Sequence, residues 1–270
     1  MNNKNTLTEK KRERISILVP TFNEEKNIRD CLESVKWADE IVIVDSYSYD
    51  NTVKIAREYT DKILQHEYIN SASQKNWAIP QLSNEWIMIV DSDERVTPEL
   101  KEEILKVLTD GTSYNGFYIY RKNHFLAKEI KHCGWNKDKC LRLFRKGMGK
   151  YQEREVHADI ILEGKVGYLK NKLIHYTFDS FAQYIKKWDR YTSWASIDRG
   201  KKTKRVRWYY LTLRPLWRFI KQYILKLGFL DGKEGYIICK LAAMSVFMKY
   251  AKLLERKNSE NHFLNHKNKK

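Results

Sequence analysis

The sequence lacks an apolar run long enough to act as a secretion signal or to cross a membrane. Residues 1–14 are polar and charged, and we expect them to form a disordered basic leader. A spanning helix needs about 20 predominantly apolar residues. The best candidate, residues 236–251, is interrupted by Lys240 and Lys249. We therefore expect no transmembrane segment.

Cysteine is scarce, and glycine is missing where a phosphate-binding loop would need it. The four cysteines of the 270-residue chain form no dense framework, so we expect reduced thiols and a cytosolic setting. His132, Cys133 and Cys140 lie close together in sequence, but no second Cys or His pair completes a zinc site. No glycine-rich loop follows the first predicted strand, which argues against a dinucleotide-binding site or a P-loop.

Acidic residues are few relative to basic ones. The chain has 51 Lys and Arg residues against 34 Asp and Glu residues, a formal net charge of +17. This balance indicates an anionic partner, which could be nucleic acid, a phosphorylated substrate or a membrane surface. At 42% hydrophobic residues the chain can build a full core, and its length fits one large domain or one domain with an appendage.

The first 110 residues alternate between predicted strands and helices. Four short apolar runs rich in strand formers are predicted strands, at residues 15–19, 40–44, 62–65 and 86–90. Helical patterns separate them, and another helix follows the last strand. This alternation predicts a parallel sheet with helices on both faces. Ligands bind such sheets beyond the carboxyl ends of the strands.

Polar and acidic residues follow three of these strands, so we expect them at one edge of the sheet. They are Thr21, Asn23 and Glu24 after the first strand, Asp45, Ser46 and Asp50 after the second, and Asp91 and Asp93 after the fourth. Asp91 and Asp93 flank Ser92, and neighbouring carboxylates disfavour each other's ionised form. A divalent cation such as Mg²⁺ or Mn²⁺ removes that cost and can also bind phosphate. The alternative is an ordinary turn with two solvated acids.

The second half of the chain changes character. Strands are predicted at residues 116–120, 140–144 and 173–176, and a hairpin is predicted across residues 163–165. Helical patterns cover residues 180–196, 215–227 and 235–254. We therefore divide the chain into a catalytic domain at residues 15–200, an amphipathic helical region at 201–257 and a disordered tail at 258–270. Within the catalytic domain we expect a nucleotide-binding half (15–110) and an acceptor half (111–200).

Four motifs in the first half carry a resemblance to a known family. They are Val19-Pro-Thr-Phe-Asn-Glu-Glu25, Ile43-Val-Asp-Ser46 with Asp50-Asn-Thr52, Ser73-Gln-Lys-Asn76, and Val90-Asp-Ser-Asp93. In this order and spacing, the chain resembles the inverting glycosyltransferases of family 2, which have the GT-A fold. Later segments, among them Ile174-His-Tyr-Thr177 and Arg214-Pro-Leu-Trp217, resemble the subgroup of lipopolysaccharide-core β-1,4-glucosyltransferases. The resemblance implies an α/β GT-A fold, with a mostly parallel sheet, followed by C-terminal helices.

The resemblance also implies roles for the residues at the predicted edge. The nucleotide-sugar-binding residues would be Pro20, Thr21, Asn23, Glu24, Asp45, Asp50, Lys75, Asp91 and Ser92. Asp45 would accept a hydrogen bond from uracil, with Asp50 in support, and Lys75 would contact base or phosphate where the family often has Arg. The alternatives are that Asp45 and Asp50 cap the helix near Thr52 and that Lys75 is a solvated helix charge.

Metal and proton-transfer roles follow from the same resemblance. Asp93 would bind the Mg²⁺ or Mn²⁺ that bridges the diphosphate, with Asp91 and a late His, His175, as further ligands. Inverting transfer also needs a carboxylate that takes the acceptor proton. The subgroup often has Glu where this chain has Ala158, so we favour Glu155 for this role, with Asp159 as the alternate. Arg142 is expected to border the acceptor, because Arg pairs with phosphate.

Together these features predict a metal-dependent inverting glycosyltransferase. We expect a nucleotide-sugar donor, UDP-hexose, and a lipid-linked surface-glycan acceptor such as lipopolysaccharide or lipooligosaccharide core. Two alternatives stay open. A nucleic-acid-binding protein would fit the basic and aromatic residues 205–210, although the acidic edge argues against nucleic acid as a partner. A catalytically inactive GT-A scaffold is the other, against which the intact acidic motifs argue.

The C-terminal helices predict peripheral association with anionic lipid on the inner face of the cytoplasmic membrane. Apolar residues crowd one side of the helix at residues 215–227, with Arg and Lys nearby, which is typical of helices that lie in a lipid headgroup region. The apolar residues are Leu216, Trp217, Phe219, Ile220, Tyr223, Ile224 and Leu227. The alternative is that this side packs on the catalytic domain or on a second subunit.

Overall fold

A computed structural model describes residues 11–152, 159–178 and 180–267, and the chain divides into two compact units. The first unit comprises Met1–Arg121 and Lys139–His175, and the second comprises Lys122–Asp138 and Tyr176–Lys270. Each unit receives part of two strands, β6 (Gly116–Phe125) and β12 (Leu173–Phe178). The expected domain boundary at residue 200 stays a prediction.

A parallel sheet forms the centre of the first unit. Its strands are β1 (Ile15–Thr21), β2 (Glu40–Asp45), β3 (Ile63–Gln65) and β4 (Trp86–Ile89), in the order β3-β2-β1-β4. Thr21 of β1 pairs with Asp45 of β2, and Leu18 of β1 pairs with Ile89 of β4. This register brings the carboxyl ends of β1, β2 and β4 to one edge, as the sequence predicted.

Helices cover both faces of this sheet, which is why its strands are apolar on both sides. The helices are α1 (Ile28–Val35), α2 (Thr52–Ala56), α3 (Ser71–Ala78) and α4 (Pro98–Asp110). On one face, Ile17 belongs to the same buried cluster as Leu32 of α1 and Leu100 of α4. On the other face, Leu18 belongs to a cluster with Ala78 of α3.

Shorter strands complete the first unit. Strand β8 (Lys139–Arg145) lies antiparallel between β4 and β6, and β5 (Glu94–Val96) pairs with the first half of β12. The predicted hairpin across residues 163–165 is wrong: β10 (Ile160–Leu162) pairs with β9 (Gly149–Tyr151), and β11 (Val166–Tyr168) runs parallel to β6. Gly164 turns the chain with a φ of 92°, but each flanking strand takes its partner from elsewhere in the sequence.

The second unit is mainly helical, with the short strand β7 (Lys128–Glu129) paired to the end of β6. Its helices are α5 (Phe181–Gly200), α6 (Trp208–Leu211), α7 (Leu213–Ile220) and α8 (Gly232–Lys267). Between α7 and α8 lie a π-helical turn (Lys221–Leu225) and a 3₁₀ turn (Gly228–Asp231). None of the helices within the described ranges combines the length and apolar character required to span a bilayer.

The predicted disordered tail from Asn258 is helical as far as Lys267, because α8 continues through it. A helix whose earlier turns are already fixed by packing adds residues without a new nucleation cost. Polarity alone therefore did not decide where this helix ends.

The amino end of β2 carries a buried carboxylate that should make stability depend on pH. Glu40 accepts hydrogen bonds from Ser16 Oγ, from Lys62 Nζ and, at 2.8 Å, from the Ser83 backbone N–H. Burial opposes its ionisation, but these donors and the Lys62 charge lower the pKa of Glu40 to about 2. The contribution of Glu40 to the free energy of unfolding is therefore present above the ordinary glutamate pKa and is lost as pH falls towards 2.

We expect Glu40→Gln to lower the free energy of unfolding at pH 7 by about 2–3 kcal/mol. The difference between wild type and variant should shrink as pH falls from about 5 to about 2. Urea unfolding across this range measures it, and the exposed Glu67→Gln serves as the control. A difference that stays constant with pH would contradict the assignment.

Candidate active site

Asp45 is fully buried and holds two loops together at the carboxyl edge of the sheet. Its Oδ1 accepts a hydrogen bond from Thr21 Oγ1 at 3.1 Å and another from Ser48 Oγ. Its Oδ2 accepts from the Ser48 backbone N–H at 2.9 Å. The expected contact of Asp45 with uracil stays a prediction. The Asp45 oxygens fix the end of β1 and the loop after β2.

The other polar residues of these two loops also bond to each other. Asn23, at a φ of 55°, accepts a hydrogen bond from the Tyr49 backbone N–H at 3.0 Å. The backbone N–H of Glu24 donates to Thr52 Oγ1 at 2.7 Å. Asp50 accepts from the Thr52 backbone N–H at 2.9 Å, beside the start of α2. Asp50 thus holds the first residue of this helix, and its supporting role at the nucleotide stays a prediction.

A buried network of alternating charges surrounds Asp91. Lys75 Nζ lies 2.8 Å from Asp91 Oδ1, and an Arg142 Nη2–H group donates to Asp91 Oδ2. The same Nη2 atom lies 2.7 Å from Oε1 of Glu94, and Oε2 of Glu94 accepts from the Asp91 backbone N–H at 3.0 Å. Glu94, Lys75 and Arg142 are all buried. Side chains from α3, β5 and β8 therefore converge on Asp91, two residues after the end of β4.

The network fixes the ionisation of its members. Burial opposes the charged form of Asp91, but the charges of Arg142 and Lys75 hold its pKa far below the usual range. Burial likewise opposes the charge of Lys75, yet the Asp91 charge raises the pKa of that amine. Asp91 is therefore an anion and Lys75 a cation at neutral pH.

Asp93 and His175 lie together although 82 positions separate them. Strand β12 pairs with β5 so that His175 stands opposite Glu94, and His175 Nε2 lies 3.7 Å from Asp93 Oδ2. Both side chains are partly exposed, in contrast to Glu94. The sequence prediction that these two residues share a site is consistent with this placement.

The arrangement fits a divalent cation held by Asp93 and His175. Mg²⁺ commonly takes only one or two protein carboxylates and fills its shell with water and substrate phosphate. No group of three His, Cys, Asp or Glu side chains able to hold a metal occurs in the described parts of the chain. The Asp91 oxygens bind Lys75 and Arg142. The expected metal role of Asp91 stays a prediction.

Ser92 and Asn76 anchor this segment to its neighbours. Ser92 Oγ donates to the Pro20 carbonyl at 2.8 Å, which ties the Asp91–Asp93 turn to β1. The Asn76 amide bonds to both the N–H and the carbonyl of Tyr151 at 2.9 Å, and so joins α3 to β9. Lys75 Nζ lies 5.3 Å from the centroid of the Tyr151 ring.

Only one of the two candidate proton acceptors lies in the described part of the chain. Glu155 lies outside the described residues. Asp159 is described and exposed, and its backbone carbonyl accepts from the Gln152 N–H at 3.0 Å just before β10. Its side chain is therefore open to a ligand.

Sequence reasoning missed Glu94 and Ser48 and expected another role for Arg142. Glu94 directly follows Asp93, so a third acid in the same turn was the available signal. Arg142 was expected beside the acceptor, but the structure places its guanidinium on Asp91 and Glu94.

Residues 16–161 match the family described as glycosyl transferase family 2. The chain belongs to this family. It is 29% identical to an uncharacterized glycosyltransferase of Rickettsia felis over 264 residues, which covers 90% of each chain. It is 28% identical to the lipopolysaccharide core biosynthesis glycosyltransferase LpsC of Rhizobium meliloti over 249 residues, covering 90% of this chain and 92% of LpsC.

Solved structures of two bacterial proteins also align with this chain. Residues 1–349 of TarS from S. aureus align with a TM-score of 0.46 and 16% identity, covering 92% of each chain. Glucosyl-3-phosphoglycerate synthase from Mycobacterium tuberculosis, solved with Mg²⁺ and uridine diphosphate, aligns with a TM-score of 0.36 and 18% identity. That alignment covers 41% of this chain and 44% of the mycobacterial chain. The family match and the observed sheet confirm the predicted α/β GT-A fold for this family 2 member.

The buried network should make Arg142 far more important for stability than its neighbour on β8. Arg142→Ala leaves two carboxylates without their shared cation, at an expected loss of about 3–5 kcal/mol. Arg145 pairs with Glu13 and Glu85, which are more exposed, so Arg145→Ala should cost about 1 kcal/mol. Denaturant unfolding of both variants measures the difference. Equal losses would show that Asp91 and Glu94 do not depend on Arg142.

Proposed function

We propose that this family 2 member is a cation-dependent inverting glycosyltransferase. It would transfer a hexose from UDP to a lipid-linked surface glycan such as lipopolysaccharide or lipooligosaccharide core. The observation that carries the proposal is the Asp93–His175 pair at the carboxyl edge of a parallel sheet. Asp91, which pairs with Lys75, lies in the same turn as Asp93.

Asp93 and His175 would hold Mg²⁺ or Mn²⁺ together with the donor diphosphate. The cation supplies charge stabilisation for the leaving diphosphate. Lys75 and Arg142 add two fixed positive charges to the same region, and Asp91 keeps them in place. Fixed charges of this kind favour a transition state in which negative charge grows on phosphate oxygen.

The loops after β1 and β2 would receive the nucleotide. Asp45 positions the β2 loop from inside, and Asn23 and Glu24 tie the β1 loop to it. The ring of Tyr49 is largely exposed next to this paired loop structure. We therefore assign Asp45 and Asp50 to positioning of the loops that surround the nucleotide.

A carboxylate would accept the proton of the attacking acceptor hydroxyl. Inversion requires this group on the side of the sugar opposite the diphosphate. Glu155 is our preferred candidate and Asp159 the alternate, and such a base contributes about 10²–10⁴-fold to the rate. Asp159 has the exposed carboxylate that this role requires.

A lipid-linked acceptor is supported by the similarity to LpsC, which is named for lipopolysaccharide core biosynthesis. Such an acceptor is anchored in a bilayer. The inner face of the cytoplasmic membrane, where nucleotide sugars are available, is therefore the proposed place of action.

Replacement of Asp93 tests the proposal most simply. Asp93→Asn should lower metal-dependent hydrolysis or transfer of UDP-hexose by about 10²–10³-fold, because the cation loses its charged ligand. Calorimetric titration should show that Mn²⁺ strengthens UDP binding by wild type but no longer by the variant.

The exposed Asp61→Asn is the matched control and should behave like wild type. Full activity of Asp93→Asn, or undiminished wild-type activity in EDTA, would overturn the cation-dependent mechanism.

A further inference from the structure

Helix α7 and the turns after it expose a group of large apolar side chains to solvent. Trp217 is 57% exposed and Leu225 61%. We call the whole group the outer apolar face; its members are Leu213, Leu216, Trp217, Ile224, Leu225, Leu227, Phe229 and Leu230. Leu213, Leu216 and Trp217 lie on α7 at spacings of three and four residues, so they share one side of that helix.

The other side of the same segment packs against the core of the second unit. Phe219 and Tyr223 stack on each other at 5.1 Å and lie against the buried cluster that contains Phe125 and Cys239. Gln222 is buried, and its amide donates to the Cys133 carbonyl at 3.2 Å. This corrects the sequence expectation for Phe219 and Tyr223, which were assigned to a lipid-facing side. The core takes these two rings and leaves the outer apolar face uncovered.

The charged residues of the segment that carries this face all have one sign. Residues 201–230 contain nine Lys and Arg residues and no Asp or Glu. They are Lys201, Lys202, Lys204, Arg205, Arg207, Arg214, Arg218, Lys221 and Lys226. The two acids that follow are engaged: Asp231 is buried and accepts from the His132 N–H at 2.8 Å, and Glu234 pairs with Lys128 at 2.7 Å.

We propose that the outer apolar face is a docking surface for an anionic phospholipid bilayer. Its leucines, Trp217 and Phe229 enter the boundary between headgroups and acyl chains, and the surrounding cations contact lipid phosphate. The inference extends the proposed function, since an acceptor anchored in lipid is met at a bilayer surface. It does not depend on catalysis.

The charge argues against a second copy of this chain as the occupant. A twofold interface would place the same surface on both sides, and the nine cations of one copy would face those of the other. The cores of protein interfaces are also depleted of Lys. An anionic bilayer neutralises the cations and receives the apolar side chains at the same time.

Flotation of the full chain with vesicles tests the surface. Wild type should float with phosphatidylglycerol vesicles, and the bound fraction should fall with phosphatidylcholine vesicles or when salt rises to about 0.5 M. The triple variant Leu213→Ser, Leu216→Ser, Trp217→Ser should bind anionic vesicles at least about 100-fold more weakly. The variant Arg218→Gln, Lys221→Gln, Lys226→Gln should lose a similar factor on anionic vesicles only.

The matched control removes three exposed apolar residues of the first unit, by Ile69→Ser, Tyr114→Ser and Ile161→Ser, and should float like wild type. Hydrolysis of UDP-hexose, measured on the same samples, should be unchanged in the serine variant of α7, which shows that it is folded. Wild-type protein that floats with anionic vesicles but does not hydrolyse UDP-hexose would contradict the proposed function and would still support the docking surface.

Three results would overturn the docking surface. The first is wild type that stays in the dense fraction with anionic vesicles at low salt. The second is a serine variant of α7 that floats like wild type. The third is a wild-type dimer in sedimentation that the serine variant abolishes, without flotation of either, because the face would then be a contact between copies.

Discussion

The ion pairs among Asp91, Arg142, Glu94 and Lys75 are the constraint on which the rest of the site depends. Two carboxylates three positions apart would repel each other in a buried turn. Arg142 reaches both from β8, and Lys75 reaches Asp91 from α3. Replacing such a network by apolar residues is often neutral for stability, but removing one partner leaves an unpaired buried charge. The network therefore fixes the geometry of the turn as long as all four of its side chains are present.

Because of this network, the two aspartates of the Asp-Ser-Asp turn have different contacts. Asp91 points to the cations of α3 and β8, whereas Asp93 stands 3.7 Å from His175. The pairing of β5 with β12 supplies His175, and the bond from Ser92 to the Pro20 carbonyl holds the turn against β1. A single residue thus separates a carboxylate that pairs with two buried cations from the one that we propose as a metal ligand.

The sequence predicted the parts of this arrangement that depend on local pattern. The apolar runs predicted the four parallel strands, and the acids after three of them lie at one edge of the sheet as expected. The sequence did not predict which long-range partner each residue takes. Arg142 meets Asp91 only because β8 lies antiparallel beside β4, and nothing in residues 139–145 specifies that neighbour. For the same reason the turn at Gly164 suggested a hairpin whose strands in fact pair elsewhere. Burial of Asp45 and the inward side of α7 likewise depend on packing that the amino-acid pattern leaves open.

A crystal structure of the chain with Mn²⁺ and a non-hydrolysable UDP-hexose analogue tests this division most directly. The anomalous signal of manganese locates the ion without reference to the protein. We expect Asp93 and His175 to contact the ion and Asp91 to remain paired with Lys75 and Arg142. An ion bound by Asp91, with Arg142 displaced from it, would contradict these separate roles.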